Sequence, residues 1–276
     1  SGLPTRLATE FPRSGLVVAH RDFLRLHLAP RTDVFLVCIK PDRKEHPWAH
    51  HYIVQNARDR IFSSPLASRS SHVLHWPQAH LMGRRPERGL RCESVGYFGR
   101  TMNLADELKS PDWSETLARL GFTWSIVPSA QWNDYRDVDV AVGIRNLSNV
   151  AQASTDPLWD SDSKPPSKLV NAWLAGVPAI VGPESAYRNV RRGPLDYVEV
   201  SSLQELKEAL LELRRNGELY QAIVENGRER AREFSTEAVL TPSPQALAGS
   251  LPSPTPAAPG GLTPDPQAWG ASLPGP

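Results

Sequence analysis

Short apolar runs separated by polar, proline-containing connections make up most of the first ninety residues. They cover residues 16–19, 34–39, 52–54 and 73–74. Continuous apolar runs of this length are typical of β-strands that are covered on both faces. Because few helical patterns lie between them, the sequence predicts an α/β sheet here with few helices.

A clearer alternation of strand and helix patterns begins near Arg91. Residues 114–120 predict a helix, with Asp112 or Ser114 as its cap and Gly121 as its stop. Three apolar runs around this helix predict strands: residues 94–98, 124–127 and 138–144. Strands that alternate with helices at this spacing indicate βαβ units, and therefore a parallel sheet.

Residues 164–192 combine a loop, a helix and a strand. Pro165 and Pro166 keep the approach extended, Ser167 can cap the helix, and Gly176 ends it. An apolar stripe follows helical spacing: Leu169, Val170, Trp173 and Leu174. Residues 177–181 then predict a buried parallel strand. A long polar loop, residues 146–166, leads into this segment.

The rest of the chain first continues this pattern and then loses it. Residues 197–200 predict a strand, Ser202 and Glu205 form a capping box for an amphipathic helix, and residues 218–234 predict a last helix. From residue 241 onward Pro, Ala, Gly, Ser and Leu dominate with almost no charge, which predicts a disordered tail over 241–276.

The start of the helix after Pro166 is a candidate anion site. Its free N–H groups and the helix dipole present a partial positive charge, to which Lys164 and Lys168 add two ammonium groups. Two lysines at a helix start are otherwise ordinary solvated surface charges. A phosphate group is the ligand that this pattern favours.

Composition narrows the class of protein. Of 276 residues, 40% are hydrophobic and 22% charged, which is typical of a globular chain. The formal net charge of +1 gives no support for nucleic-acid binding, and no apolar run is long enough to span a membrane. Two cysteines, Cys38 and Cys92, favour a reducing compartment over a disulfide framework. We therefore expect a soluble, cytoplasmic protein.

The segment SKLVNAWLAGVPAIV, residues 167–181, resembles the K-x-x-E-x-x-A-x-G-x-P segment of GT-B glycosyltransferases similar to family 4. By this resemblance Lys168 contacts the diphosphate of a nucleotide-sugar donor. Asn171 stands at the position of a glutamate that holds the ribose hydroxyls, and Ser163, eight residues earlier, also replaces a glutamate. An amide can still hydrogen-bond a ribose hydroxyl.

The resemblance implies an α/β, GT-B-like fold of two Rossmann-like parallel-sheet domains. Residues 1–90 would form a short or incomplete acceptor-side domain, and residues 91–240 the nucleotide-sugar-binding domain. Arg100, after the glycine that ends a strand, would clamp the diphosphate together with Lys168, and Lys164 and Ser167 would stand beside them. The alternative is a surface arginine after a tight turn.

Three further residues follow predicted strands where a parallel sheet presents its ligand crevice. Arg145 could line the donor site or pair with Asp137 or Asp139. Glu184 and Ser185 could hydrogen-bond sugar hydroxyls, although a helix cap equally explains Ser185.

An acid or base is expected from the amino-terminal half. His20 and Asp22, in VVAHRDF, are the candidates, because a histidine pKa lies near neutrality. His46, His50 and His51, in HPWAHH, are not expected to bind a metal, since no cysteine or carboxylate completes a tetrahedral set.

The resemblance thus implies a metal-independent glycosyltransferase of hexosyltransferase type, without a cofactor, that uses a nucleotide-sugar donor and a glycan, lipid or small-molecule acceptor. A nucleotide-sugar epimerase on the same fold stays open. So does a GT-B-derived domain that binds without turnover.

Overall fold

The chain forms two parallel β-sheets. The computed structural model describes residues 5–26, 29–145, 147 and 163–240. The predicted disordered tail, residues 241–276, and most of the predicted loop 146–166 lie outside these residues. No helix in the described part of the chain is both long and apolar enough to cross a membrane.

The first sheet contains four strands: β1 (Gly15–His20), β2 (Val34–Ile39), β3 (His51–Val54) and β4 (Ser70–His72). They pair in sequence order, all parallel, and short 3-10 turns are the helical elements described between them. Its core packs Leu36, Tyr52 and Ile61. Residues 73–74 were predicted as the fourth strand, but they follow β4. The backbone pairing with β3 is made by the polar residues 70–72.

The second sheet has the order β6-β5-β7-β8-β9 and is also parallel throughout. Its strands are β5 (Ser94–Phe98), β6 (Thr123–Val127), β7 (Val140–Gly143), β8 (Ala179–Val181) and β9 (Val198–Glu199). The helices are α1 (Pro111–Arg119), α2 (Ser167–Ala175), α3 (Ser185–Val190), α4 (Leu203–Arg215), α5 (Gly217–Ala231) and α6 (Thr236–Leu240). The α/β fold class with parallel sheets, predicted from the sequence, is confirmed.

Side chains before the first turn cap several helices. Ser202 Oγ accepts the Glu205 N–H at 3.1 Å and starts α4 as predicted. Helix α1 begins earlier than predicted, because Pro111 suits its first turn and Ser110 Oγ accepts the Asp112 N–H at 3.2 Å. Ser110 is therefore the cap, and the prediction of Asp112 or Ser114 was wrong.

Helix α2 is fixed in place by Trp173. This side chain is 2% exposed, and its indole N–H donates to the Asp196 carbonyl at 2.8 Å. A Cβ added at Gly227 of α5 would lie 2.9 Å from Trp173 Cδ1, so the two helices approach closely. Helix α2 is consequently held closely against α5.

The unfolding free energy should fall on acidification because of His75. Burial lowers the pKa of His75 from 6.5 to about 4, and its Nδ1 has no hydrogen-bond partner among the described residues. The unfolded chain then binds a proton that the folded chain does not, so stability is lost as the pH falls from about 6.5 towards 4, by roughly 2–3 kcal/mol.

Urea unfolding of wild type and His75→Gln at pH 7, 5 and 4 tests this. The variant should show a smaller pH dependence, while His80→Gln, at an exposed side chain, controls for loss of an imidazole. If the unfolding free energy of wild type and of His75→Gln depends equally on pH, His75 is not the cause of the loss of stability at low pH.

Candidate functional site

The strand order of the second sheet reverses between β5 and β7. Strand β5 comes first in the chain and has β6 on one side and β7 on the other. Open parallel sheets bind ligands at such a switch point, in the crevice at the carboxyl ends of the strands. Gly99 directly follows β5, and Gly143 ends β7. Two glycines therefore border the crevice.

Lys168 lies across these two glycines. A Cβ added at Gly99 would lie 3.0 Å from Lys168 Cε, and one added at Gly143 would lie 3.5 Å from Lys168 Cδ. The Lys168 ammonium lies 5.4 Å from the centre of the Tyr97 ring. Burial lowers the pKa of Lys168, although the Glu184 and Asp42 charges oppose this shift. No salt bridge to Lys168 is present among the described residues. A desolvated cation without an ion-pair partner is suited to an anionic ligand.

The start of α2 has no side-chain cap. Its N-cap residue is Pro166, and Ser167, predicted as the cap, is the first residue of the helix. Because the helix begins at Ser167, Pro166 occupies the N-cap position, and proline has no side-chain hydroxyl that could accept a first-turn N–H. Helices α1, α4 and α5 each have a capping side chain. The first N–H groups of α2, beside Lys168, lack this acceptor.

Arg145 lies near Glu184, across the carboxyl ends of β7 and β8. Arg145 Nε is 3.9 Å from Glu184 Oε2, and the two side chains are 11% and 21% exposed. Burial raises the pKa of Glu184, while the Arg145 and Lys168 charges oppose this rise. The structure thus brings together three predicted donor-site residues.

The alternative partners of Arg145 are occupied by other residues. Asp139 is fully buried and Asp137 is exposed. Their side-chain ion pairs involve Arg84, Arg85 and Arg88. The pairing of Arg145 with Asp137 or Asp139 is therefore wrong, and Arg145 lies beside Glu184 instead.

Arg100 and Ser185 lie at the edge of this group. The Arg100 side chain is exposed, and its backbone carbonyl accepts the Tyr97 hydroxyl at 3.1 Å. Ser185 is the first residue of α3 and not its cap. Asn56 Nδ2, after β3, donates to Ser185 Oγ at 3.3 Å, which links the two sheets.

The segment ahead of α2 is anchored on the end of β2. Lys40 Nζ lies 2.8 Å from Asp59 Oδ2 with both side chains fully buried, and it donates to Ser163 Oγ at 3.2 Å. Lys164 Nζ lies 3.8 Å from Asp42 Oδ2. The first sheet therefore contacts the residues that lead to Lys168.

His20 and Asp22 lie where β1 ends, on the same edge of the first sheet. His20 Nδ1 accepts the Asp22 backbone N–H at 3.2 Å. Asp22 Oδ1 accepts from Arg43 Nε at 2.7 Å. Both residues contribute to the electrostatic environment of Asp42, as does Arg145. The charges of the two acid–base candidates and of Arg145 therefore influence the same carboxylate, Asp42.

The two positions where the resembling enzymes have glutamate carry structural contacts here. Ser163 accepts from Lys40. Asn171 is 7% exposed, and its hydrogen bond lowers the pKa of Tyr135, which burial raises. Asn171 Oδ1 is buried without a hydrogen-bond partner in the described residues.

The histidines of HPWAHH join parts of the first sheet. His50 Nδ1 accepts the Leu36 N–H at 3.0 Å, and His51 Nε2 lies 2.9 Å from Ser71 Oγ. His46 Nε2 lies 3.2 Å from the Arg25 carbonyl oxygen. Burial lowers the pKa of all three. Each imidazole thus has a structural contact.

Two solved structures are similar to this chain over most of its length. Anabaena Alr3699/HepE in complex with UDP has a TM-score of 0.50 at 12% identity, covering 75% of this chain and 70% of that one. TarM has a TM-score of 0.53 at 10% identity, covering 83% of this chain and 54% of that one. The chain has a GT-B glycosyltransferase fold. No protein-family model matches the sequence, and a search of curated proteins finds no match.

Several residues that border this crevice were not identified from the sequence. Lys40 and Asp42 follow the apolar run of β2, and Asn56 follows that of β3. Polar residues at the ends of apolar runs were a usable signal, since the carboxyl ends of parallel strands share one edge of the sheet. The pairing of Lys40 with Asp59 had no such signal, because it depends on tertiary packing.

Proposed function

We propose that the chain is a glycosyltransferase of hexosyltransferase type, similar to family 4, which moves a sugar from a nucleotide-sugar donor to an acceptor without a metal ion or cofactor. One observation carries the proposal. Lys168 lies over Gly99 and Gly143, where the strand order reverses, and beside the start of α2, which has no side-chain cap. Among the described residues it has no salt bridge. This arrangement suits the diphosphate of a donor.

The cations would stabilise the leaving group. As the bond from the sugar to the diphosphate breaks, negative charge develops on the phosphate oxygens, and fixed cations and N–H groups stabilise that charge. Lys168 and the α2 start would contact the diphosphate directly, including the Ser167 N–H. Arg145 would add charge from β7. Arg100 and Lys164, at the borders of the crevice, would close on it.

The remaining donor contacts concern the sugars. Glu184 and Ser185, after β8, would accept or donate hydrogen bonds to the transferred sugar. Asn171 Oδ1, which has no hydrogen-bond partner among the described residues, would accept a hydrogen bond from a ribose hydroxyl, and this requires the side chain to shift from Tyr135.

The acceptor side would come from residues 1–90 and the donor side from residues 91–240. His20 and Asp22 are the acid–base candidates that the sequence offers, and the acceptor is a glycan, lipid or small molecule, not a nucleic acid. A cytoplasmic location fits Cys38 and Cys92, which are both buried and free.

Turnover of nucleotide sugars tests the proposal. HepE was solved in complex with UDP, so UDP-sugars come first, followed by GDP- and dTDP-sugars. Purified chain is incubated with each donor and a mixed panel of oligosaccharide, lipid and small-molecule acceptors. Release of nucleoside diphosphate together with a glycosylated product supports a transferase. Binding of nucleotide without any product contradicts it.

A nucleotide-binding domain without turnover is the second candidate. Asn171 and Ser163 favour it, because neither supplies a carboxylate and both make structural contacts. This candidate predicts nucleotide binding at α2 with no release of sugar from any donor.

Substituting Gly99 by alanine should lower donor affinity about tenfold. The added Cβ would lie 2.8 Å from the Tyr97 hydroxyl and 3.0 Å from Lys168 Cε, so the ammonium would be displaced from the crevice. A lost charge-assisted hydrogen bond is worth about 1.5–3 kcal/mol. Calorimetric titration with UDP measures the change. Gly193→Ala, where an added Cβ meets open space, is the control, and equal affinities in the two variants would contradict the placement of the site.

A further inference from the structure

Asp42 lies where the two halves of the proposed site meet. It follows β2 by three residues, and its side chain is 23% exposed. Its carboxylate lies 3.8 Å from Lys164, just ahead of α2. Arg145 acts on it from the end of β7, and His20, Asp22 and Arg43 act on it from the first sheet. The carboxylate therefore contacts a cation just ahead of α2, and charges from both sheets influence it.

We infer that Asp42 accepts the proton of the acceptor hydroxyl in the proposed transfer. In this step the hydroxyl oxygen forms a bond to the anomeric carbon of the donor sugar. The bond from that carbon to the diphosphate breaks, its electron pair leaves with the diphosphate, and the hydroxyl proton passes to a carboxylate oxygen of Asp42. The inference rests on the proposed function.

The other two candidates are less suited to take this proton. Because His20 Nδ1 accepts the Asp22 backbone N–H, a neutral His20 carries its proton on Nε2, which can then only donate. Asp22 is 46% exposed, and its Oδ1 already accepts a hydrogen bond from Arg43 Nε at 2.7 Å. His20 and Asp22 would instead contact the acceptor beside Asp42.

The environment of Asp42 makes it a stronger base. Burial raises its pKa, and the Arg43 and Arg145 charges oppose that rise. A bound diphosphate would draw Arg145 and Lys164 towards itself and add negative charge nearby. Both effects favour the protonated carboxyl. Donor binding should therefore raise the pKa of Asp42 further and prepare it to accept a proton.

Carboxyl ¹³C NMR of the full chain measures this directly. The Asp42 resonance, assigned with Asp42→Asn, should titrate at a higher pH in the folded chain than in the urea-unfolded chain, and saturating UDP should raise the Asp42 pKa further. An Asp42 pKa no higher in the folded chain than in the unfolded chain overturns the inference whether or not UDP binds. A pKa that is unchanged or lowered by bound UDP overturns it as well.

Hydrolysis of UDP-glucose, with water as the acceptor, supplies the kinetic test. Asp42→Asn should reduce the rate at least about 100-fold, since a general base contributes about 10²–10⁴-fold. UDP affinity should be equal to or higher than that of wild type, because a ligand that raises the Asp42 pKa binds more tightly when this side chain is neutral. Thermal unfolding should stay close to wild type. His20→Ala and Asp22→Asn should reduce the rate by less, and the acid limb of the wild-type pH profile should be absent from Asp42→Asn.

Asp42→Glu and Asp106→Asn complete the comparison. The glutamate variant should restore part of the rate, because it keeps a carboxylate, and Asp106→Asn should match wild type. A wild-type rate in Asp42→Asn overturns the inference. If UDP fails to bind wild type, the proposed donor site is contradicted and not the role of Asp42. The Asp42 pKa in the free chain tests the role of Asp42 separately.

Discussion

Lys168→Ala is expected to weaken UDP binding about 100-fold. The substitution removes a partly desolvated cation that the described residues leave without a salt bridge. A hydrogen bond to a charged group is worth about 1.5–3 kcal/mol, and about 2.7 kcal/mol corresponds to a factor of 100 in affinity. Calorimetric titration with UDP measures the loss.

The same substitution should change the free energy of unfolding by no more than about 1 kcal/mol. Removing a partly desolvated charge relieves a desolvation cost, but it also removes the favourable interaction of that charge with Glu184. Lys207→Ala, on α4, is the control for removing a lysine away from the crevice. Equal UDP affinities in the two variants would contradict the assignment of Lys168.

Asp59→Ala should lower the free energy of unfolding by about 3–5 kcal/mol. Asp59 is fully buried, and its Oδ2 lies 2.8 Å from Lys40 Nζ, which is also fully buried. Removing one member of a buried ion pair leaves the other charge without that partner in a medium of low polarity, which is strongly destabilising. Urea unfolding followed by circular dichroism measures the change.

Two further variants separate the lost charge pair from lost packing. Lys40→Met combined with Asp59→Leu should recover most of the stability, because apolar replacement of a buried pair is often neutral. Asp106→Ala, in an exposed pair with Lys109, should change the unfolding free energy by no more than about 1 kcal/mol. A loss below about 1 kcal/mol in Asp59→Ala would show that the pair does not stabilise this junction.

The parallel sheets could be predicted because their strands are continuous apolar runs. Residues 34–39 and 94–98 were assigned with the bounds that the structure shows. A polar strand has no such run and was therefore not predicted. An example is β4, Ser70–His72, which pairs with β3 through its backbone. The cap of α2 was predicted from a serine, whereas the helix begins after Pro166.

The proposed donor side was predictable to the extent that it depends on local sequence. Arg145 and Glu184 follow predicted strands and Lys168 lies in the first turn of a predicted helix, and the structure brings the three together. The junction with the first sheet was not predictable. Asp42 and Lys164 are far apart in the chain, and their approach depends on how the two sheets pack.

A structure of the chain with UDP tests the central claim most directly. Phosphate oxygens should lie about 2.7–3.2 Å from Lys168 Nζ and from first-turn N–H groups of α2, over Gly99 and Gly143. A cavity of about 310 Å³ at the other end of α2, bordered by Arg84, Arg85 and Arg228, is the contrasting location. UDP bound in that cavity, with the crevice at Lys168 unoccupied, would contradict the account.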